Sequence, residues 1–295
     1  MFNTFVIGIL LRNDRNIDDL KLINKMNSSK VLSITLTLLV ILSFACGPKK
    51  VNQSLSDEQL YQQAVEMLEA KKRGFPWIFS GTDYKTLFKI LKEIQLRDPY
   101  SKYSILAELR TADAYFKKQE YEQAAIEYEE FLKRHPGSDE ASYATYRLAL
   151  SHYKQVKKPD RDPTSTRDAL KWFEFFVEKY PESPLIGEAN KKISQCRNRL
   201  ANREIYIGNY YAKRKNFKAA ANRYNVVVSQ YSDTKEFEKA LYLLGNSYFK
   251  MGDNILARAT LKRVVDEFPD TEYRRKAESL LQEIDTNTKE ESKEG

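Results

Sequence analysis

The chain has 295 residues, 49 Lys+Arg against 41 Asp+Glu, a formal charge of +8 and 42% hydrophobic residues. That apolar share supports a buried core and excludes global disorder. Ten Gly and nine Pro are too few for a turn-rich β-sandwich or barrel. Two Cys and two His (Cys46, Cys196, His135, His152) exclude a disulfide-stapled scaffold and a Cys-rich zinc module, and leave little for histidine chemistry.

In chain order, residues 1–25 are a charged, mixed stretch, read as a start codon placed too early with Met26 the start. Residues 26–45 then have a cationic beginning (Lys30), the uncharged run VLSITLTLLVILSFA and a small residue, Ala45, before Cys46. That order describes a secretory signal peptide, and the 15-residue run is short for a spanning helix. Leu42-Ser-Phe-Ala-Cys46 resembles a bacterial lipobox, with Ser43 where Leu is usual. It makes Cys46 the expected lipidation site and new N-terminus, followed by a linker over 46–56. An uncleaved anchor or ordinary signal peptide is the alternative. Gly47, where an Asp would retain an enterobacterial lipoprotein at the inner membrane, favours the outer membrane by the same resemblance. Export, and a mild charge spread along the chain, argue against nucleic acid as a partner.

From residue 57 an internal repeat appears. An apolar pair, two polar residues, an aromatic or His and a Pro recur as Phe131-Leu-Lys-Arg-His-Pro136, Phe176-Val-Glu-Lys-Tyr-Pro181 and Val264-Val-Asp-Glu-Phe-Pro269. Val227-Val-Ser-Gln-Tyr-Ser232 is a variant, and an earlier copy ends at Pro99. Each stop lies just past a periodic apolar stretch, where a helix ends. Upstream, Ala112/Tyr115/Ala124/Tyr128, Ala149/Tyr153/Ala169/Phe173, Gly208/Tyr211/Ala220/Tyr224 and Gly245/Tyr248/Ala257/Leu261 align. This is the tetratricopeptide pattern of paired antiparallel helices. Small residues let the helices approach, and aromatic residues fill the spaces between pairs. The spacing predicts an all-α solenoid of five hairpins, with repeats one and two over 57–140 and repeats three to five over 141–285. Such solenoids present a concave surface that binds polypeptides.

Departures from the repeat mark where something is added. The first hairpin is predicted over Asp57–Lys72 and Tyr84–Leu96, split by a loop carrying Phe75, Trp77, Ile78 and Phe79. Those residues either cap the first pair or touch a partner or the membrane. The third repeat gains a charged, Pro-containing loop within Gln155–Thr166. Its Asp160/Asp162 pair lacks the surroundings of a metal loop, and neither metal nor cofactor is expected. Glu188–Lys213 reads as one long helix carrying Cys196, a buried small residue by this reading. Residues 286–295 are polar and expected to be disordered. No acid/base or nucleophile set has usable spacing, so the chain reads as a non-enzyme.

Leu60 to Leu281 resembles the BamD family, also called ComL, of outer-membrane-protein assembly lipoproteins. The residues that carry the likeness are Tyr84-Lys-Thr86, Asp98-Pro-Tyr-Ser101, Ala107-Glu-Leu-Arg-Thr-Ala-Asp-Ala-Tyr115, Arg197-Asn-Arg-Leu-Ala201, Tyr210-Tyr211 and Tyr231-Ser-Asp-Thr234. The resemblance implies a lipid-anchored scaffold on the periplasmic face of the outer membrane. Its implied partners are a POTRA domain of BamA, other Bam lipoproteins and unfolded barrel precursors. For the BamA-facing edge it points to Arg199 and Arg214, and for the precursor groove to Tyr61, Asp113, Tyr115 and Lys117. The alternative is another periplasmic tetratricopeptide lipoprotein serving cell-envelope machinery.

Overall fold

The structure, a computed structural model, describes residues 54–69, 82–156 and 162–294. The signal peptide, Cys46, the Phe75–Phe79 loop and most of the Lys157–Asp162 insertion lie outside the described residues.

Eleven helices make up the described chain: α1 (Asp57–Glu69), α2 (Tyr84–Arg97), α3 (Lys102–Lys117), α4 (Tyr121–Arg134), α5 (Ala141–Lys154), α6 (Thr164–Lys179), α7 (Ile186–Lys213), α8 (Phe217–Gln230), α9 (Phe237–Lys250), α10 (Asn254–Glu267) and α11 (Glu272–Glu294). The first ten form five antiparallel hairpins, and no strand occurs among the described residues. This is the expected all-α tetratricopeptide solenoid. Two features differ from the sequence expectation. A single helix, α11, follows the fifth hairpin and buries Ala277, Leu280 and Ile284 against Leu241, Leu261 and Val264. It also runs on to Glu294, so the expected disordered tail is helical over 286–294. The segment has no Pro or Gly before its last residue and is rich in Lys and Glu, which are strong helix formers.

Local chemistry starts the helices. Asp83, Ser101, Asn216 and Asp253 each accept a hydrogen bond from the backbone N–H three residues on, capping α2, α3, α8 and α10. The turns inside hairpins two, four and five share one geometry. Gln119, Lys215 and Gly252 adopt φ of 68°, 60° and 80°. The next N–H reaches back to the carbonyl of Tyr115, Tyr211 and Tyr248 at 3.0, 3.1 and 3.0 Å. This closes the first helix of each pair with a left-handed residue.

The core repeats with the sequence. Each cluster joins a hairpin to the first helix of the next: Leu109, Tyr128 and Phe131 with Leu148; Phe173 and Phe176 with Cys196; Ile205 and Tyr224 with Leu244. Aromatic rings fill these spaces, which accounts for the aromatic excess. The glycines admit large neighbours rather than small ones. A Cβ on Gly208 would lie 2.4 Å from the Tyr224 ring, and one on Gly245 would lie 2.8 Å from Leu261. In both cases the neighbour stands one turn beyond the facing alanine.

Candidate functional site

The first helices of the first three hairpins, α1, α3 and α5, line an open groove of about 630 Å³. Its floor centres on Asp113, a carboxylate only 8% exposed. Helical spacing puts Arg110 and Lys117 on the same side of α3 as Asp113, three residues before it and four after it.

Four groups converge on this carboxylate. The Tyr128 hydroxyl of α4 donates to Oδ1. The Tyr143 hydroxyl of α5 donates to the same oxygen at 2.8 Å. Arg110 Nη1 donates to Oδ2 at 2.7 Å, and Arg147 Nε stands 3.6 Å from Oδ1. Both arginines have further attachments. Arg110 Nε donates to the Tyr61 hydroxyl at 3.1 Å, linking α3 to α1. Arg147 Nε donates to the Tyr128 hydroxyl at 3.0 Å, and its guanidinium lies 3.7 Å from the centre of the Phe116 ring, a cation–π contact. Lys117 Nζ donates to the Leu68 carbonyl of α1.

The electrostatics fix the protonation of this cluster. Burial, and then the Asp113 charge, raise the Tyr128 and Tyr143 hydroxyls well above the ordinary phenol value, so both stay proton donors. Burial alone would lower the Arg110 value, but the Asp113 hydrogen bond and charge outweigh it and raise the value. Two guanidinium groups therefore share one carboxylate at the groove floor. Rings at the base and cations fixed by their partners suit an extended polypeptide carrying apolar and anionic groups.

Three of the four expected groove residues meet here: Tyr61, Asp113 and Lys117. Tyr115 does not. Its ring packs 4.6 Å from that of Phe88, between hairpins one and two. Sequence reasoning missed Arg110, Arg147, Tyr128 and Tyr143 as members of the site. Arg147 had a signal: a lone cation in the small and apolar stretch Ala144-Thr-Tyr-Arg-Leu-Ala149.

Arg199 and Arg214 lie elsewhere. Arg199 is exposed on the 28-residue α7 and Arg214 is exposed as its C-cap, fifteen positions and about 22 Å apart at the helical rise. Arg214 stacks 3.6 Å from the Tyr210 ring centre, and Arg199 stands 6.0 Å from that of Tyr153. Between the arginines, Tyr206 and Tyr210 are half exposed and line a second groove, of about 350 Å³, between α7 and α9. Other residues of the Arg197–Ala201 motif are structural. Arg197 grips Asp233 through two 2.7 Å hydrogen bonds and the Gln230 carbonyl at 2.8 Å. Asn198 accepts from the Lys235 backbone N–H. Together they bind the α8–α9 connection to α7.

Repeated helix hairpins with a polar groove across their first helices define a tetratricopeptide-type binding scaffold. The family model described as outer membrane lipoprotein (YfiO) matches residues 53–262, and the chain belongs to that family. Curated relatives carry the name outer membrane protein assembly factor BamD. The protein from Neisseria meningitidis serogroup A is 27% identical over 83% of this chain and 93% of its own length. That from Rickettsia prowazekii is 29% identical over 77% and 86%. That from Haemophilus influenzae is 29% identical over 84% and 94%. Among solved structures, the chain is similar to the TPR2AB domain complex of yeast Sti1, with a TM-score of 0.42, 10% identity and coverage of 80% of this chain and 86% of that one.

Proposed function

We propose that this protein is a non-enzymatic assembly factor for outer-membrane proteins, the role named for its relatives. In this reading it is held by acylated Cys46 at the periplasmic face of the outer membrane. The groove of hairpins one to three receives unfolded barrel precursors through their C-terminal signal. The carrying observation is the Asp113 hub, which holds Arg110, Arg147 and Tyr61 in place before any ligand arrives. Preorganised groups lose less entropy when an extended chain binds. They are locked to one another as donors and acceptors, an arrangement suited to holding a chain and not to transferring protons.

The C-terminal hairpins serve as the docking side in this reading. Arg199 on α7 and Arg214 at its C-cap, with exposed Tyr206 and Tyr210 between them, face a POTRA domain of BamA. Tyr and Arg are the residue types enriched at protein interfaces. Other Bam lipoproteins dock on the same scaffold. Affinity purification of the detergent-solubilised complex tests the proposal. Recovery of a large β-barrel subunit bearing POTRA domains is expected. Its absence, with cell-wall enzymes recovered instead, overturns the reading in favour of an envelope scaffold.

A further inference from the structure

The turn between α2 and α3 carries an unusual set of side chains for a solvated corner. Leu96 is 68% exposed and Tyr100 is 93% exposed, and Pro99 between them is exposed as well. Exposed Lys92 and Lys102 stand on either side. The turn is firmly built: the Ser101 N–H donates to the Asp98 carbonyl and the Tyr100 N–H to the Asp98 side chain, each at 3.1 Å. The apolar side chains are thus presented by a fixed backbone.

The same turn is fastened to the start of the repeat unit. Arg97 Nη1 donates to the Leu55 carbonyl at 2.7 Å and to Asp57 Oδ1 at 3.3 Å. Leu55 lies nine positions after Cys46. Fully extended, nine positions span at most about 30 Å. The chain length therefore keeps Leu55 within about 30 Å of whatever holds Cys46. Other exposed apolar residues, such as Ile255 of α10, have no such link to the anchor.

We propose that the Leu96–Tyr100 turn is a membrane-contact site that rests on the phospholipid surface to which Cys46 is tethered; this rests on the acylated-anchor reading given above. Leu96 and Pro99 enter the edge of the acyl region. Tyr100 sits at the headgroup level, where its ring is buried and its hydroxyl stays wet. Lys92 and Lys102 extend toward lipid phosphates while their methylene stems follow the apolar boundary. A second attachment beside the lipid anchor restricts how the scaffold tilts over the membrane, and so which way the groove of hairpins one to three faces.

The test uses the mature lipoprotein in vesicles of phosphatidylethanolamine and phosphatidylglycerol, with a nitroxide label at Lys102→Cys or Ile255→Cys. Cys196 does not compete for label, because it is fully buried and burial pushes its thiol up to about 12. Collision with oxygen, which concentrates in the bilayer, is compared with collision with a water-soluble nickel chelate. The oxygen-to-nickel ratio at 102 is expected to be several-fold above that at 255, and to fall to the 255 level in the Leu96→Asp/Tyr100→Asp background. Mass spectrometry of the same sample reads the anchor. Equal ratios at 102 and 255 with Cys46 acylated overturn the membrane contact alone. An unacylated Cys46 overturns the anchor and the contact together.

Discussion

The Tyr128 hydroxyl donates to the buried Asp113 carboxylate, and the matching slot of the fourth hairpin holds Tyr224 donating to Asn209 at 2.7 Å. The third hairpin has Phe173 and Leu150 in these positions, and the fifth has Leu261 and Asn246. One packing slot in the repeat is therefore filled by a buried charge in a single hairpin. That charge faces the groove and gathers two arginines, Arg110 from its own helix and Arg147 from α5.

Asp113→Ala leaves Arg110 and Arg147 half-buried without their carboxylate. A loss of about 3–5 kcal/mol is expected, as for removal of one partner from a buried ion pair. Tyr128→Phe removes one of several donors, and its expected cost is about 1–2 kcal/mol. Urea unfolding of both variants checks the order. A milder effect for Asp113→Ala than for Tyr128→Phe contradicts the hub.

Two glycines on α7 separate close packing from propensity. Gly208→Ala puts a methyl group into the Tyr224 ring, which is fully buried and cannot step aside. The expected loss is about 1–3 kcal/mol. Gly187→Ala meets nothing within 4 Å and replaces a poor helix former, so a gain of up to about 1 kcal/mol is expected. Thermal unfolding measured on both variants should shift in opposite directions.

Lys215 and Gly252 occupy the same turn position with left-handed backbones, but only Gly252 adopts that region without cost. Lys215→Gly is expected to gain about 0.5–1 kcal/mol and Gly252→Ala to lose about 1 kcal/mol. Denaturation midpoints at equal slope report both.

Burial lowers the His152 value below 6.5, against the opposing charges of Asp168 and Glu129. The folded state thus prefers the neutral ring. Its contribution is fully present above about pH 6.5 and is lost as pH falls through the depressed folded value. Wild type is expected to lose more stability than His152→Gln between pH 7.5 and 5.5. Equal losses in urea unfolding at the two pH values contradict this.

Much of the fold was legible because the repeat imposes it. The positions of Ala112, Ala149, Gly208 and Gly245, and the stops at Pro136, Pro181 and Pro269, mark hairpins directly. The long α7 was legible from an uninterrupted helical pattern. The final helix was not, because its buried residues, Ala277, Leu280 and Ile284, are few and lead into a polar end that composition alone reads as unfolded. At the site, Tyr61, Asp113 and Lys117 came from a family likeness. Arg110 and Arg147 were hidden because a charged residue on a helix reads as solvated unless the neighbouring helix that covers it is known. Tyr128 was hidden because the repeat already explained it as core.

The proposed grip of the groove of hairpins one to three on a barrel precursor runs through these cations. It is tested most directly by titrating a labelled C-terminal peptide of an outer-membrane barrel protein against the wild-type protein and Arg147→Gln, with the folded state of each verified by thermal unfolding. Saturable binding to wild type is expected, with a loss of affinity of about tenfold in Arg147→Gln, the size of one charge-assisted contact. Equal affinity in the two folded proteins, or no binding to either, contradicts it.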